Sequence, residues 1–260
     1  MKAVEPKVFL VGETRVLDEG LSAYLAHVGA PDWTTDAPSD AERLGEVMGR
    51  LCYRSFAPGL NPNVSRVREG NAAYLGHIVQ VGHGSVLEHA TLNFIFVDVS
   101  RVVTHELVRH RAGTAISQES LRFVRLESLP AYVPTHIRES EEGMEIFART
   151  IEQLEALQAT LAELYAIDEA GGFSTKKQLT SAFRRLAPIG VATTVGWSCN
   201  LRTLRHVIEH RTAPAAEEEI RLLFARVFEV VRERYPNVFA DYAVEQVDGL
   251  PWVRTANPKV

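Results

Sequence analysis

Cysteine is nearly absent from this chain, and so are long apolar runs. Two thiols occur, Cys52 and Cys199, far apart in sequence. They cannot supply a disulfide framework or a zinc knuckle, so buried structural thiols in a reducing compartment are expected. No apolar stretch approaches the roughly 20 residues that cross a bilayer. The first residues, Met1 to Pro6, lack the apolar core of a signal peptide, so a cytoplasmic protein with no membrane partner is expected. Positive charge is not in excess either. The formal net charge is -5, which argues against nucleic acid as a partner, because phosphate backbones reward a basic surface. Internal repeats, low-complexity tracts and an interdomain linker are missing as well. With 260 residues, 46% of them hydrophobic, the chain can bury a core of its own as one catalytic domain, residues 1–260.

Periodicity is what the chain does have. In Ala41–Tyr53 the apolar residues Leu44, Val47, Met48 and Leu51 recur at helical spacing, and a second helical stretch runs to about Val81. Thr91–Val99 alternates, with Leu92, Phe94 and Phe96 on one side and Thr91, Asn93 and Ile95 on the other, which predicts a strand. Ser100–Arg111 reads as a helix, Ala112–Ser120 as a loop and Leu121–Leu126 as a strand. Glu139–Tyr165 reads as a long amphipathic helix. Ser174 is placed to cap a helix Thr175–Leu186 ended by Pro188. Val191–Ser198 is strand-like, Asn200 caps a helix through Arg211, and a last helix spans about Ala215–Tyr235. The first 40 or so residues give no clear pattern. The sum is a helix-rich α/β (α+β) domain with a small sheet and no βαβ alternation.

Three clusters carry chemistry. Gly82–His89 holds His83, Ser85, Glu88 and His89. Its histidines stand six apart instead of the i, i+4 spacing of helical metal pairs, so a metal is not expected; a loop that merely caps the following strand is the plain alternative. In Thr104–Arg111, helical spacing would put Glu106, Arg109 and His110 on one face. Cations closing a helix also satisfy its dipole, which is the structural alternative. The Ser117–Arg122 segment that follows supplies hydroxyl and amide groups and another arginine. Planar guanidinium forks with such groups suit a phosphate and a pyrimidine edge. The third cluster follows Asn200, where Leu204, Val207 and Ile208 form an apolar stripe whose next position is Arg211. An arginine at that point is either bound to something or extends to solvent at the helix end.

Arg109-His110-Arg111, eight residues, then Ser120 and Arg122 resembles the hallmark motif of flavin-dependent thymidylate synthases. Cys52-Tyr53-Arg54-Ser55, Gly82–His89, Thr104–Arg111, Arg184 before Pro188, Asn200-Leu201-Arg202, His206 and Arg211 are similar to that family in the same order. The likeness runs from about Leu51 to Tyr242. It implies a small, mostly antiparallel sheet flanked by helices, and reductive methylation of dUMP to dTMP. Methylenetetrahydrofolate would donate the carbon, FAD would carry the hydride and NADPH would act as reductant. It implies that Ser55, His83, Ser85, Glu88, Arg109, His110, Arg111, Gln118, Asn200, Leu201, Arg202 and His206 hold FAD. It further implies that dUMP meets Glu106, Leu107, Val108, Arg109, Gln118, Glu119, Ser120, Leu121, Arg122, Arg184 and Arg211. Arg211 is the catalytic candidate and Ser120 is expected to position substrate. A homotetramer with shared active sites is implied too. The chain departs from the family in two places: the commoner spacing before the serine is seven residues, and Pro214-Ala215-Ala216 stands where many relatives carry a histidine.

Overall fold

The computed structural model describes residues 1–64, 66–122 and 128–260. In chain order these form β1 (Lys7–Glu13), α1 (Asp18–His27), α2 (Asp40–Tyr53), α3 (Asn71–Gln80), a 3₁₀ turn (Gly84–Glu88) and β2 (Thr91–Ser100). Next come α4 (Arg101–Leu107), β3 (Thr114–Gln118), α5 (Thr135–Arg138), α6 (Glu141–Leu164), α7 (Phe173–Phe183) and a 3₁₀ turn (Arg184–Leu186). The chain ends with β4 (Ala192–Asn200), α8 (Leu201–Thr212), α9 (Glu218–Arg234), β5 (Tyr242–Val247) and β6 (Leu250–Thr255). Strands β1-β2-β4-β3 form one sheet in that order and β5-β6 a second. The fold is thus mixed helix and strand, with small antiparallel sheets flanked by helices.

The chain divides into two compact units. The first comprises 1–9, 95–110 and 116–197. In it Leu129, Ile151 and Val191 make one apolar cluster and Ala162, Ile167 and Phe183 another. Phe96 of β2 lies 5.9 Å from Trp197 of β4, ring to ring. The second unit comprises 10–94, 111–115 and 198–260. Leu21, Leu25, Val47 and Phe56 cluster there, and α8 packs on α9 and β6. Removing each of the fully buried Leu204, Val207 and Ile208 side chains from water stabilises by about 1.5–3 kcal/mol.

The alternation expected of β2 holds through Phe96. Leu92, Phe94 and Phe96 are buried while Thr91 and Ile95 are exposed. It then slips by one residue at Asp98, which takes φ +60°, so that Val99 is buried instead of exposed. That irregularity delivers Ser100 as the cap of α4, its Oγ accepting from Val103 N at 3.3 Å. Helix α4 stops at Leu107, four residues short of the expected Arg111. Arg109 N and His110 N bond back only three residues, to the carbonyls of Glu106 and Leu107, so these residues follow α4 in a tighter turn instead of continuing a regular α-helix.

Thr114–Gln118 is a strand where a loop was expected; only its place beside β4, absent from local sequence, makes it one. The strand expected at Leu121–Leu126 is not seen at Leu121 and Arg122, which form a turn, and its remainder lies outside the described residues. Helix α7 begins at Phe173, with Gly172 in the N-cap position, so Ser174 is inside the helix and does not cap it. The unpatterned N-terminal stretch contains β1 and α1. Cys199 is buried as expected, but Cys52 is exposed. No helix among the described residues is long and apolar enough to cross a membrane.

Candidate active site

In the second unit, three segments distant in sequence are tied together around the start of α8. Asn200 caps that helix, Oδ1 accepting from Thr203 N at 2.8 Å, because an N-cap side chain satisfies an amide left over at a helix start. The Asn200 amide donates to Gly113 O at 3.1 Å and the Leu201 amide to Ala90 O at 3.0 Å. Thr203 Oγ1 donates to Ala112 O at 2.8 Å. The loop carrying exposed Arg111 is thereby latched to α8, as is the turn carrying His83, Ser85 and Glu88.

Within that turn Val86 and Leu87 are buried, which leaves His83, Ser85 and Glu88 exposed. Arg202 Nη1 meets Glu88 Oε1 at 2.5 Å with both side chains about half exposed. The arginine lies across Gly84 so closely that a Cβ there would come within 2.7 Å of its Nε. Ser55 follows α2 after Arg54, which takes φ +50°. Ser55 N donates to Arg50 O at 3.0 Å and Ser55 O accepts from Arg50 Nη1 at 2.9 Å. His83 pairs with Tyr53, a residue whose role the sequence did not single out.

On α8, His206 is exposed and its ring stacks 5.8 Å from that of His210. Arg211 continues the stripe of Leu204, Val207 and Ile208 and is buried, with 9% exposure. It does not extend to solvent.

Most of the residues expected to meet dUMP lie in the first unit, and Arg211 lies in the second. Leu107 is spent in the core, whereas Val108 and Arg109 are exposed and Glu106 is partly so. Glu119 N donates to Thr194 O at 3.0 Å, and Glu119 O accepts from Arg101 Nη2 at 3.1 Å. Ser120 Oγ accepts from Arg122 N at 3.3 Å. Leu121 and Arg184 line the same small cavity with Gln158 and Phe183, so the segment after β3 and the 3₁₀ turn after α7 are brought together.

Arg101 is the residue the sequence reading missed. Burial holds its guanidinium below its ordinary range; Glu119 opposes this and the Arg184 charge adds to it. Arg101 Nε and Gln118 Nε2 are buried donors without a hydrogen-bond partner, an expensive condition that a bound acceptor would relieve. A signal was available: a cation directly after the Ser100 cap opposes the helix dipole.

A larger cavity of about 730 Å³, bordered by Glu13, Trp33, Ser39, Arg43 and Arg234, holds none of these residues. Arg43 and Arg234 form ion pairs with Asp18 and Glu13, although Arg43 Nε is, like Arg101 Nε, a buried donor without a hydrogen-bond partner. No group of three or more potential metal ligands occurs among the described residues.

Guanidinium, imidazole and amide donors are the groups that proteins which bind planar anionic ligands employ. The comparisons with known proteins narrow that class. The family model described as "Thymidylate synthase complementing protein" matches residues 35–237. The chain is 36% identical over 222 residues to the flavin-dependent thymidylate synthase of Corynebacterium glutamicum, covering 82% of this chain and 84% of that one. To its Mycobacterium bovis counterpart it is 35% identical over 242 residues, 90% and 93% of the two chains. In fold it is similar to a crystal structure of thymidylate synthase X from Helicobacter pylori with FAD and dUMP. There the TM-score is 0.57 at 20% identity, over 91% of this chain and 98% of the other. The chain belongs to the flavin-dependent thymidylate synthase family.

Proposed function

We propose that this chain is an enzyme that methylates dUMP reductively to dTMP, with methylenetetrahydrofolate as carbon donor and NADPH as reductant. FAD, when bound, supplies the hydride transfer that completes the methyl group. The observation that carries the reading is the joining of the 82–90, 111–113 and 200–206 segments in the second unit. It gathers Arg202, Glu88, Asn200 and the loop of Arg111 from widely spaced stretches of a family member's sequence.

These residues fit a flavin. Arg202 is held over a bare glycine backbone. Exposed His83 precedes that glycine, exposed His206 stands one turn along α8, and exposed Arg111 precedes the residue latched to Thr203. Ser55, Ser85, Glu88, Arg109, His110, Gln118 and Leu201 complete the FAD set in this reading. Glu106 to Arg109, Gln118 to Arg122, Arg184 and Arg211 bind dUMP. The buried donors of Arg101 and Gln118 are suited to its phosphate. Arg211 stabilises negative charge on the pyrimidine ring, including the form that has lost its N3 proton, and so enriches C5. Ser120 orients the nucleotide and forms no covalent bond.

The working form is a homotetramer whose active sites combine subunits. Exposed apolar side chains such as Phe9, Ile95 and Ile116 suit burial against other copies. The two free thiols suit the cytoplasm. The test is the visible absorption spectrum of the purified protein before and after adding dUMP, followed by an assay for labelled dTMP. A yellow protein whose flavin bands shift with dUMP and which releases dTMP is expected; a colourless protein that binds neither ligand overturns the reading.

A further inference from the structure

Helix α8 is gripped by residues 238–260. Arg205 is completely buried, a position that an unmatched guanidinium could not hold. Each of its five N–H donors has an acceptor. Nε donates to Val260 O at 3.1 Å. Nη1 donates to Val238 O at 2.5 Å and Asp241 Oδ1 at 2.8 Å. Nη2 donates to Asp241 Oδ2 at 3.0 Å and Thr255 Oγ1 at 3.2 Å. Its charge lies 4.8 Å from the Tyr242 ring centroid, and the Tyr242 hydroxyl donates to Arg205 O at 2.9 Å. Every one of these partners lies beyond residue 237, where the family match ends.

A second grip holds the other end of the helix. Thr212 Oγ1 accepts from Val253 N at 3.0 Å and donates to Ile208 O at 2.8 Å, with Val253 O at 3.3 Å. The two grips stand seven residues apart, about 10 Å along the axis. Arg205 is flanked by Arg202 and His206, and Thr212 follows Arg211.

We infer that Val238–Val260 is a positioning clamp: Arg205 fixes the end of α8 that presents Arg202 and His206, and Thr212 fixes the end that presents Arg211. The inference rests on the proposed roles of those three residues. A clamp of this kind acts on ligand binding apart from its contribution to stability, because small displacements of binding groups cost heavily.

The test uses the whole chain with Arg205→Lys, Thr212→Val and a control, Leu25→Ala, which opens a cavity in a cluster that contains no residue of α8. Below each variant's thermal midpoint, Arg205→Lys weakens FAD binding by about ten-fold with less effect on KM for dUMP. Thr212→Val does the reverse. Leu25→Ala lowers the midpoint and changes neither constant. Where Arg205→Lys does not fold, Tyr242→Phe gives the same direction with a smaller fold-change. FAD and dUMP constants within two-fold of the parent in both clamp variants overturn the inference. Amide hydrogen exchange across Leu201–Thr212 needs no ligand: it rises in the clamp variants and not in Leu25→Ala. A parent protein that is colourless and inert sinks the proposed function, while unchanged exchange sinks the clamp.

Discussion

The Tyr53 hydroxyl lies 2.6 Å from His83 Nδ1, and the two rings stack 20° from parallel with centroids 5.7 Å apart. Both residues are exposed, so the pair contributes little to the core. The contact holds the orientation of the imidazole. Tyr53→Phe keeps the ring and removes the hydroxyl. Stability should stay within about 0.5 kcal/mol of the parent, while the FAD dissociation constant rises several-fold in a fluorescence titration. An unaltered constant would place His83 outside the flavin contacts.

Two glycines separate ligand binding from folding. At Gly84 an added Cβ meets Arg202 Nε at 2.7 Å, which displaces the arginine from Glu88. That ion pair is half exposed and adds at most about 1 kcal/mol of stability, so Gly84→Ala should lose flavin without losing its thermal midpoint. At Gly113, φ is +66° and the Asn200 and Thr203 side chains fill the space. Gly113→Ala should therefore cost about 1–3 kcal/mol in urea unfolding.

Arg211→Ala should abolish dTMP formation and leave the protein yellow, because the cation is assigned to the substrate ring and not to the flavin. Ser120→Ala should retain part of the turnover with a raised KM for dUMP. A serine variant that binds dUMP normally and is wholly inactive contradicts the positioning role.

Asp241 makes folding sensitive to acid. Burial favours its neutral form, but hydrogen bonds from Arg205, Asn257 and Thr255 outweigh that and hold the carboxyl below its ordinary 3.8. A lowered folded value means that this contribution is present above 3.8 and is lost as pH falls through the folded value. Urea midpoints measured from about pH 5 down to about pH 2.5 should fall more steeply for the parent than for Asp241→Asn. At neutral pH that variant, with Arg205 left short of its partner, should already be weaker by about 3 kcal/mol. Parallel pH profiles would remove Asp241 from the acid response.

Local order determined much of what the sequence conveyed. The alternation of Leu92, Phe94 and Phe96, the apolar stripe of α8 and the Asn200 cap depend on neighbours within a turn or two, and each appears as the pattern predicts. The ordered motifs identified the family for the same reason: spacing and residue type are linear properties. What only the tertiary structure decided involves partners far along the chain. Helix α4 ends at Leu107 because the chain must turn into β3, a strand defined by its place beside β4. The Asp248-Gly249 turn joining β5 to β6 was a readable hairpin signal, yet its importance lies in reaching back to α8. Arg205 looks like any charged helix residue until Val238, Asp241, Thr255 and Val260 surround it. Burial of a charge depends on which acceptors converge in space, and periodicity carries no record of that.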